Sequence, residues 1–186
     1  MNATIQQLEK QMYELSTKLA AARRAAAPEP VQDYEFKTLD GPIRLSELFN
    51  GRNELIVVHN MGKGCSYCTL WADGLNGFAR PLNDRAAFVV MSPDAPVVQK
   101  EFADSREWKF RLVSYGESDF AKDMGFEKSG GSFHPGVSAF RKNDDGSIVR
   151  TGFASFGRGD QFCSVWHLFD LLGSSHDDWA PKYDYA

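Results

Sequence analysis

Apolar residues recur along the first stretch of the chain at Ile5, Leu8, Met12, Leu15, Leu19 and Ala22, in steps of 3, 4, 3, 4 and 3. A helix puts such positions on one face, so residues 3–27 read as an amphipathic helix rich in Ala, Gln, Glu and Lys. Two arrangements suit a stripe of this length: packing on the chain's own domain, or a seam with a second helix in a homodimer. Pro28-Glu29-Pro30 ends the helix and reads as a short, stiff linker. The chain thus divides into a helix over 1–27 and a folded domain over 31–186.

Beyond the linker the pattern changes. Tyr34-Glu35-Phe36-Lys37-Thr38 alternates like a strand, Asp40-Gly41-Pro42 turns, and Leu45 to Phe49 forms a helical turn closed by Asn50-Gly51. Leu55 to His59 and Ala87 to Met91 are unbroken apolar runs, the mark of strands buried on both faces. Between them, the loop Met61-Gly62-Lys63-Gly64 leads to a helix predicted from Cys65 to about Arg80. Residues 95–108 read as a helix, 111–115 as a short strand and 119–124 as a short helix. Gly136 to Arg141 and Ser147 to Phe153 alternate on either side of Asp144-Asp145-Gly146, a β-hairpin signal. Asp160 then reads as the cap of a last helix reaching about Leu172. Interleaved strands and helices ending in a hairpin predict an α/β fold, a mixed sheet flanked by helices with an N-terminal helical extension.

Composition narrows the function. Hydrophobic residues make up 42% of the 186 positions and charged residues 25%, which is ordinary for a globular domain. A net charge of −4 argues against a nucleic-acid or anionic-membrane partner, since either calls for a basic patch. No segment approaches the roughly 20 apolar residues of a membrane span. Glu9, Lys10, Glu14 and Lys18 interrupt any secretory signal, so the cytoplasm is the expected compartment.

There are three cysteines. Cys163 lies among Phe162, Val165, Trp166 and Phe169 and reads as a small buried hydrophobe. Cys65 and Cys68 stand at the predicted start of a helix that follows a buried strand. Free backbone N–H groups and the helix dipole favour a thiolate there, and Lys63 adds a nearby cation. One turn separates the two thiols, so the second can resolve a mixed disulfide formed at the first. Cys65 is the expected attacking thiol and Cys68 the resolving thiol; the plain alternative is two incidental cysteines near the core. Asp73 is a candidate proton acceptor beside them, Trp71 a core residue, and His59 ends the buried strand. His167 and His176 have no evident partner. Thr69 excludes haem attachment, which needs His after C-x-x-C.

The segment from Tyr34 to Gly77 resembles a bacterial thioredoxin-like family of unknown function labelled predicted dithiol-disulfide oxidoreductase, itself distantly related to the peroxiredoxins. The matching residues include Gly64-Cys65-Ser66-Tyr67-Cys68-Thr69-Leu70-Trp71-Ala72-Asp73-Gly74, the strand ending His59-Asn60-Met61, and His134-Pro135-Gly136-Val137-Ser138-Ala139-Phe140. The final helix, the Trp179-Ala180-Pro181 tail and the N-terminal helix also fit. The resemblance implies a thioredoxin-like fold, a cis bond at His134–Pro135 facing the dithiol, and His134 close to Cys65. It implies thiol–disulfide exchange on a disulfide-containing protein or small thiol compound, with no cofactor. Two alternatives stand beside it. One is peroxide reduction at Cys65, although Gly62 occupies the place of the threonine that peroxiredoxins carry three residues before their cysteine. The other is soft-metal binding, such as Cu(I), by Cys65, Cys68 and His134.

Overall fold

A computed structural model describes residues 2–185. The chain opens with α1 (Ala3–Ala25), capped by the Asn2 side chain, which accepts the Thr4 N–H at 2.9 Å, and closed by Arg23 and Arg24 in its last turn. Both ends follow helix-terminus chemistry. α1 buries none of its residues, so it does not brace its own domain. β1 (Glu29–Val31) follows, pairing antiparallel with β10 (Ile148–Ser155). The Pro-rich stretch expected as a linker is therefore an edge strand. Proline is tolerated there because an edge strand needs hydrogen bonds on one side only.

β2 (Glu35–Thr38) and β3 (Gly41–Arg44) form a hairpin, and β3 leads into the single-turn α2 (Leu45–Leu48). The central strand β4 (Glu54–His59) is followed by α3 (Ser66–Arg85), β5 (Ala87–Ser92), α4 (Pro96–Ser105), β6 (Arg111–Ser114) and the short α5 (Phe120–Asp123). A two-stranded ribbon, β7 (Glu127–Lys128) with β8 (Ser132–Phe133), precedes β9 (Gly136–Lys142), which hairpins into β10. α6 (Ser164–Asp170) is the last helix. It begins later than the sequence implied, because Asp160 organises a loop instead of capping it.

The main sheet has eight strands in the order β1-β10-β9-β4-β5-β6-β2-β3. β4, β5 and β6 are parallel and the rest of the ladder is antiparallel. The expected strands and hairpin are present; β1, β3 and the β7–β8 ribbon were not anticipated. β3 contains Gly41-Pro42, which reads as a turn, yet it sits at the sheet edge, where Pro42 leaves no ladder bond unmade.

Alternation along the central strands builds a core on each face. Leu55, Val57, Val89 and Met91 join Phe36, Leu48, Phe49, Phe120 and Phe140 on one side. Val58, Phe88 and Val90 pack on the other against Trp71 and Ala72 of α3, Phe156 just after β10, and Trp166 of α6. At the crossing of β4 and β9, Gly136 faces His59 across the ladder. A Cβ on Gly136 would run into the Phe126 ring and come 2.5 Å from the Ala154 carbonyl oxygen. Backbone on one side and a packed aromatic on the other cannot both give way. Gly136→Ala is therefore expected to destabilise the fold by about 1–3 kcal/mol, read as a lower urea midpoint at unchanged slope.

Candidate active site

The site is built where β4 ends. Asn60 continues the strand by donating its backbone N–H to the Met91 carbonyl at 2.8 Å. Its side-chain oxygen accepts the Gly62 N–H at 2.7 Å, and its amide donates to the Cys68 carbonyl at 3.4 Å. The Tyr115 hydroxyl donates to the Asn60 carbonyl at 3.1 Å. Gly62 turns the chain with φ +98°, and a Cβ there would lie 2.7 Å from an Asp94 carboxylate oxygen. The same oxygen accepts the Lys63 N–H at 2.7 Å. The loop is thus tied to β5 and its following turn before it reaches the cysteines.

Cys65 is the N-cap of α3, and its Sγ accepts the Cys68 N–H at 3.1 Å. A thiolate here takes the role that a Ser or Asp oxygen usually plays at a helix start. Cys65 is half-buried and Cys68 buried, and both are free thiols. Hydrogen bonding from the Cys68 thiol is the chief cause that lowers Cys65 from 9.0 to about 7; burial opposes it, and the N–H groups of Cys68 and Tyr67 reinforce it. The Cys68 thiol is pushed far up, first by that same hydrogen bond, then by burial and by the Cys65 charge. The Met61 N–H, 3.5 Å from Cys68 Sγ, acts in the opposite direction. The pair is therefore asymmetric at neutral pH: Cys65 is the thiol that ionises, and Cys68 stays protonated as its donor.

Lys63, expected as the cation beside Cys65, is exposed and enters the site through its backbone N–H. Hydrogen bonds, and not Lys63, hold the thiolate. Asp73 is not a free proton acceptor: Arg106 binds both its oxygens and the Trp108 indole donates to it at 2.8 Å. Its position on α3 turns it toward the end of α4. Trp71 packs in the core as expected, stacking on Phe156 and donating to Asp160 at 3.0 Å. Cys163 is buried too, and burial raises its thiol.

Among the described residues there is no cis peptide bond, so His134–Pro135 is trans. The trans link extends the alternation of β9 backwards, with Pro135 accepting the Phe156 N–H at 2.9 Å and His134 donating to Phe126 at 3.0 Å. His134 then shares Gly136's side of the sheet. Its ring lies 5.3 Å from that of Phe126 and lines a small cavity with Asp123, Met124 and Arg150. α3 packs on the opposite face, so the His134 ring leaves the proposed site, whereas Pro135 falls by the same alternation on the α3 side with Val137. The soft-metal trio fails with His134. No three His, Cys, Asp or Glu side chains among the described residues are grouped to hold an ion. His59 is buried between Phe126 and Phe120, bonded to Ser138 at 2.9 Å, and held down to about 3 by burial and by the charges of Arg150 and His134.

Three contributors escaped the sequence reading. Asn60 and Tyr115 fix the loop, and Arg106 ties the C-terminal tail to α3 through the Tyr183 carbonyl and Asp73. Burial raises the Tyr183 phenol, and the charges of Cys65 and Cys68 add to the effect. Arg106 holds the Tyr183 carbonyl at 2.5 Å while binding Asp73. Asn60, directly after the strand, was the detectable one, since a side chain that bonds its own turn is typical of Asn.

Residues 2–185 match the family model described as bacterial protein of unknown function (DUF899). The chain belongs to the DUF899 family. No curated protein matches the sequence. Among solved structures, the DUF899 chain is similar to peroxidoxin BcpB from Mycobacterium tuberculosis, with 22% identity, TM-score 0.57 and coverage of 78% of this chain and 93% of that one. It is similar to reduced Prx3 from Vibrio vulnificus at 17% identity and TM-score 0.56, covering 73% and 90%. It is also similar to a secreted M. tuberculosis disulfide oxidoreductase homologous to E. coli DsbE, at 15% identity and TM-score 0.50, covering 75% and 96%. These likenesses establish the thioredoxin-like fold. No helix among the described residues of the DUF899 chain is long and apolar enough to cross a membrane.

The thiol asymmetry is directly measurable. Iodoacetamide should modify Cys65 first, with a pH midpoint near 7. Cys68→Ala, which removes the donated hydrogen bond, should move the midpoint up toward the roughly 8.5 of a free thiol. Peptide mapping at each pH checks both outcomes.

Proposed function

We propose that this chain is a dithiol–disulfide oxidoreductase in which Cys65 attacks and Cys68 resolves. The observation that carries this reading is the hydrogen bonding at the first turn of α3, which holds Cys65 near a pKa of 7 and keeps Cys68 protonated beside it. A thiol poised near ambient pH combines a useful thiolate fraction with good nucleophilicity.

The exchange proceeds in two displacements. The Cys65 thiolate attacks one sulfur of a substrate disulfide, forming a mixed disulfide and releasing the other sulfur as a thiolate that takes up a proton. Cys65 then carries no charge, so two of the influences that hold the proton on Cys68, the hydrogen bond to Cys65 and its charge, are gone. Cys68 loses its proton, and the Met61 N–H stabilises the thiolate that forms. That thiolate attacks Cys65 Sγ and expels the second substrate sulfur. The substrate gains two electrons and two protons, and the protein is left with a Cys65–Cys68 disulfide. The same steps run backwards when the substrate is a dithiol. A resolving thiol one turn from the nucleophile supports disulfide exchange over peroxide reduction at Cys65.

Oxidised glutathione serves as the test substrate. Intact mass should show the reduced protein losing two hydrogens, with a peptide joining Cys65 to Cys68. Cys68→Ser should instead accumulate a glutathione adduct on Cys65, and Cys65→Ser should form neither product. The proposal is overturned if Cys65 ignores glutathione disulfide and reacts only with hydrogen peroxide, passing to a sulfinic acid while Cys68 stays free.

A further inference from the structure

The second face of the sheet is incompletely covered. Beside α3 lies a groove of about 560 Å³ floored by Ile56, Val58, Val137 and Ala139 and walled by Leu75 and Leu82 of α3 on one side and Phe153 and Phe162 on the other. Ile56 lies on the central strand and Ala139 on its neighbour, yet both are only half-buried, although central positions of a sheet are ordinarily sealed on both faces. The groove's outer rim includes Arg23, Arg24 and Ala26, where α1 ends.

The same chain carries a second apolar surface without cover. Along α1, Ile5, Leu8, Met12, Leu15 and Leu19 are 40–68% exposed. A lone helix of this length is marginal in water and needs to bury its stripe. α1 does not fill its own groove: its last turn forms the rim, Pro28 follows at once, and the helix leaves the domain there. Proline also restricts the residue before it, which resists folding the helix back.

We infer that the groove receives α1 of a second copy, so that two chains exchange helices about a two-fold axis. Every copy carries both surfaces, and reciprocal exchange covers both in a closed dimer that needs no third component. The size reaches that of a modest specific interface. The 23 residues of α1 make a helix about 34 Å long, longer than a groove that runs beside α3 from Leu75 to Leu82, so each helix–groove contact covers about 250 Å² on either surface. Two such contacts bury about 1,000 Å², the threshold of a specific interface. The stripe's 3–4 spacing is that of a helix seated on an apolar surface.

Light scattering on the full chain tests this. The unmodified protein should be a dimer. Leu15→Glu, on the stripe, and Ala139→Glu, on the groove floor, should each weaken dimerisation at least tenfold, with circular dichroism unchanged. Mixed in equal amounts, the two variants should regain a heterodimer, because one intact helix still meets one intact groove. Phe162→Glu, at the exposed end of the groove, replaces Ala139→Glu if that variant does not fold. A monomeric full-length chain overturns the inference. So does a dimer that survives both groove substitutions, since the helices would then be pairing only with each other.

Discussion

A parallel strand in the middle of a sheet must be covered on both faces, and β4 imposes that requirement on the rest of this molecule. Leu55 and Val57 look toward α2, α5 and their aromatic residues, and Val58 looks toward α3 and α6. For α3 to lie across its face, the chain must leave β4, turn within a few residues and start a helix just beyond the strand end. That turn is the loop at Asn60 to Gly64, and the first residue past it is Cys65. The dithiol's position is therefore a consequence of covering the core. Asn60, Tyr115 and Asp94 convert an approximate position into a fixed one by tying the loop to β5 and its neighbours.

Two titratable groups six positions apart show how local surroundings set opposite behaviours. His59 lies inside the strand, stacked on Phe126 with ring centroids 3.9 Å apart, and burial keeps it neutral. Cys65 lies just outside, where the hydrogen bond from the Cys68 thiol, reinforced by the N–H groups of a helix start, outweighs burial and favours the charged form. No lysine or arginine is needed for this effect. The Cys65 thiolate depends on its own helix and on the neighbouring thiol, which couples its reactivity to the state of Cys68. The tail residue Tyr183 and the Asp73–Arg106–Trp108 cluster belong to the same neighbourhood. They secure the C-terminal tail against α3 and the end of α4 without supplying a proton acceptor.

The covering of the second face is unfinished. α6 is a helix of seven residues, too short to extend across β4, β9 and β10, and the groove is what it leaves open. The surface able to complete that layer is the stripe on α1, carried by the same chain but directed away from it. In the proposed dimer, core formation and self-association become parts of one requirement, to remove the central strands from water.

The buried runs at Leu55–His59 and Ala87–Met91, the alternating hairpin and the 3–4 stripe of α1 were legible because each is a period in one continuous segment. Cys65 and Cys68 were legible too, since a cysteine pair after a buried strand needs only the next helix to acquire its chemistry. Asp73 and Lys63 were misjudged for lack of distant partners: Arg106 is 33 residues away and Asp94 is 31. His134 was misplaced because strand parity beside Phe126, and not closeness to Cys65, decides which face its ring takes. Local periodicity determines which face of an element is apolar, whereas only the packed structure decides what that face meets. Hydrogen bonds between residues far apart in sequence, and a groove left open beside a helix, leave no trace in the spacing of residues along the chain.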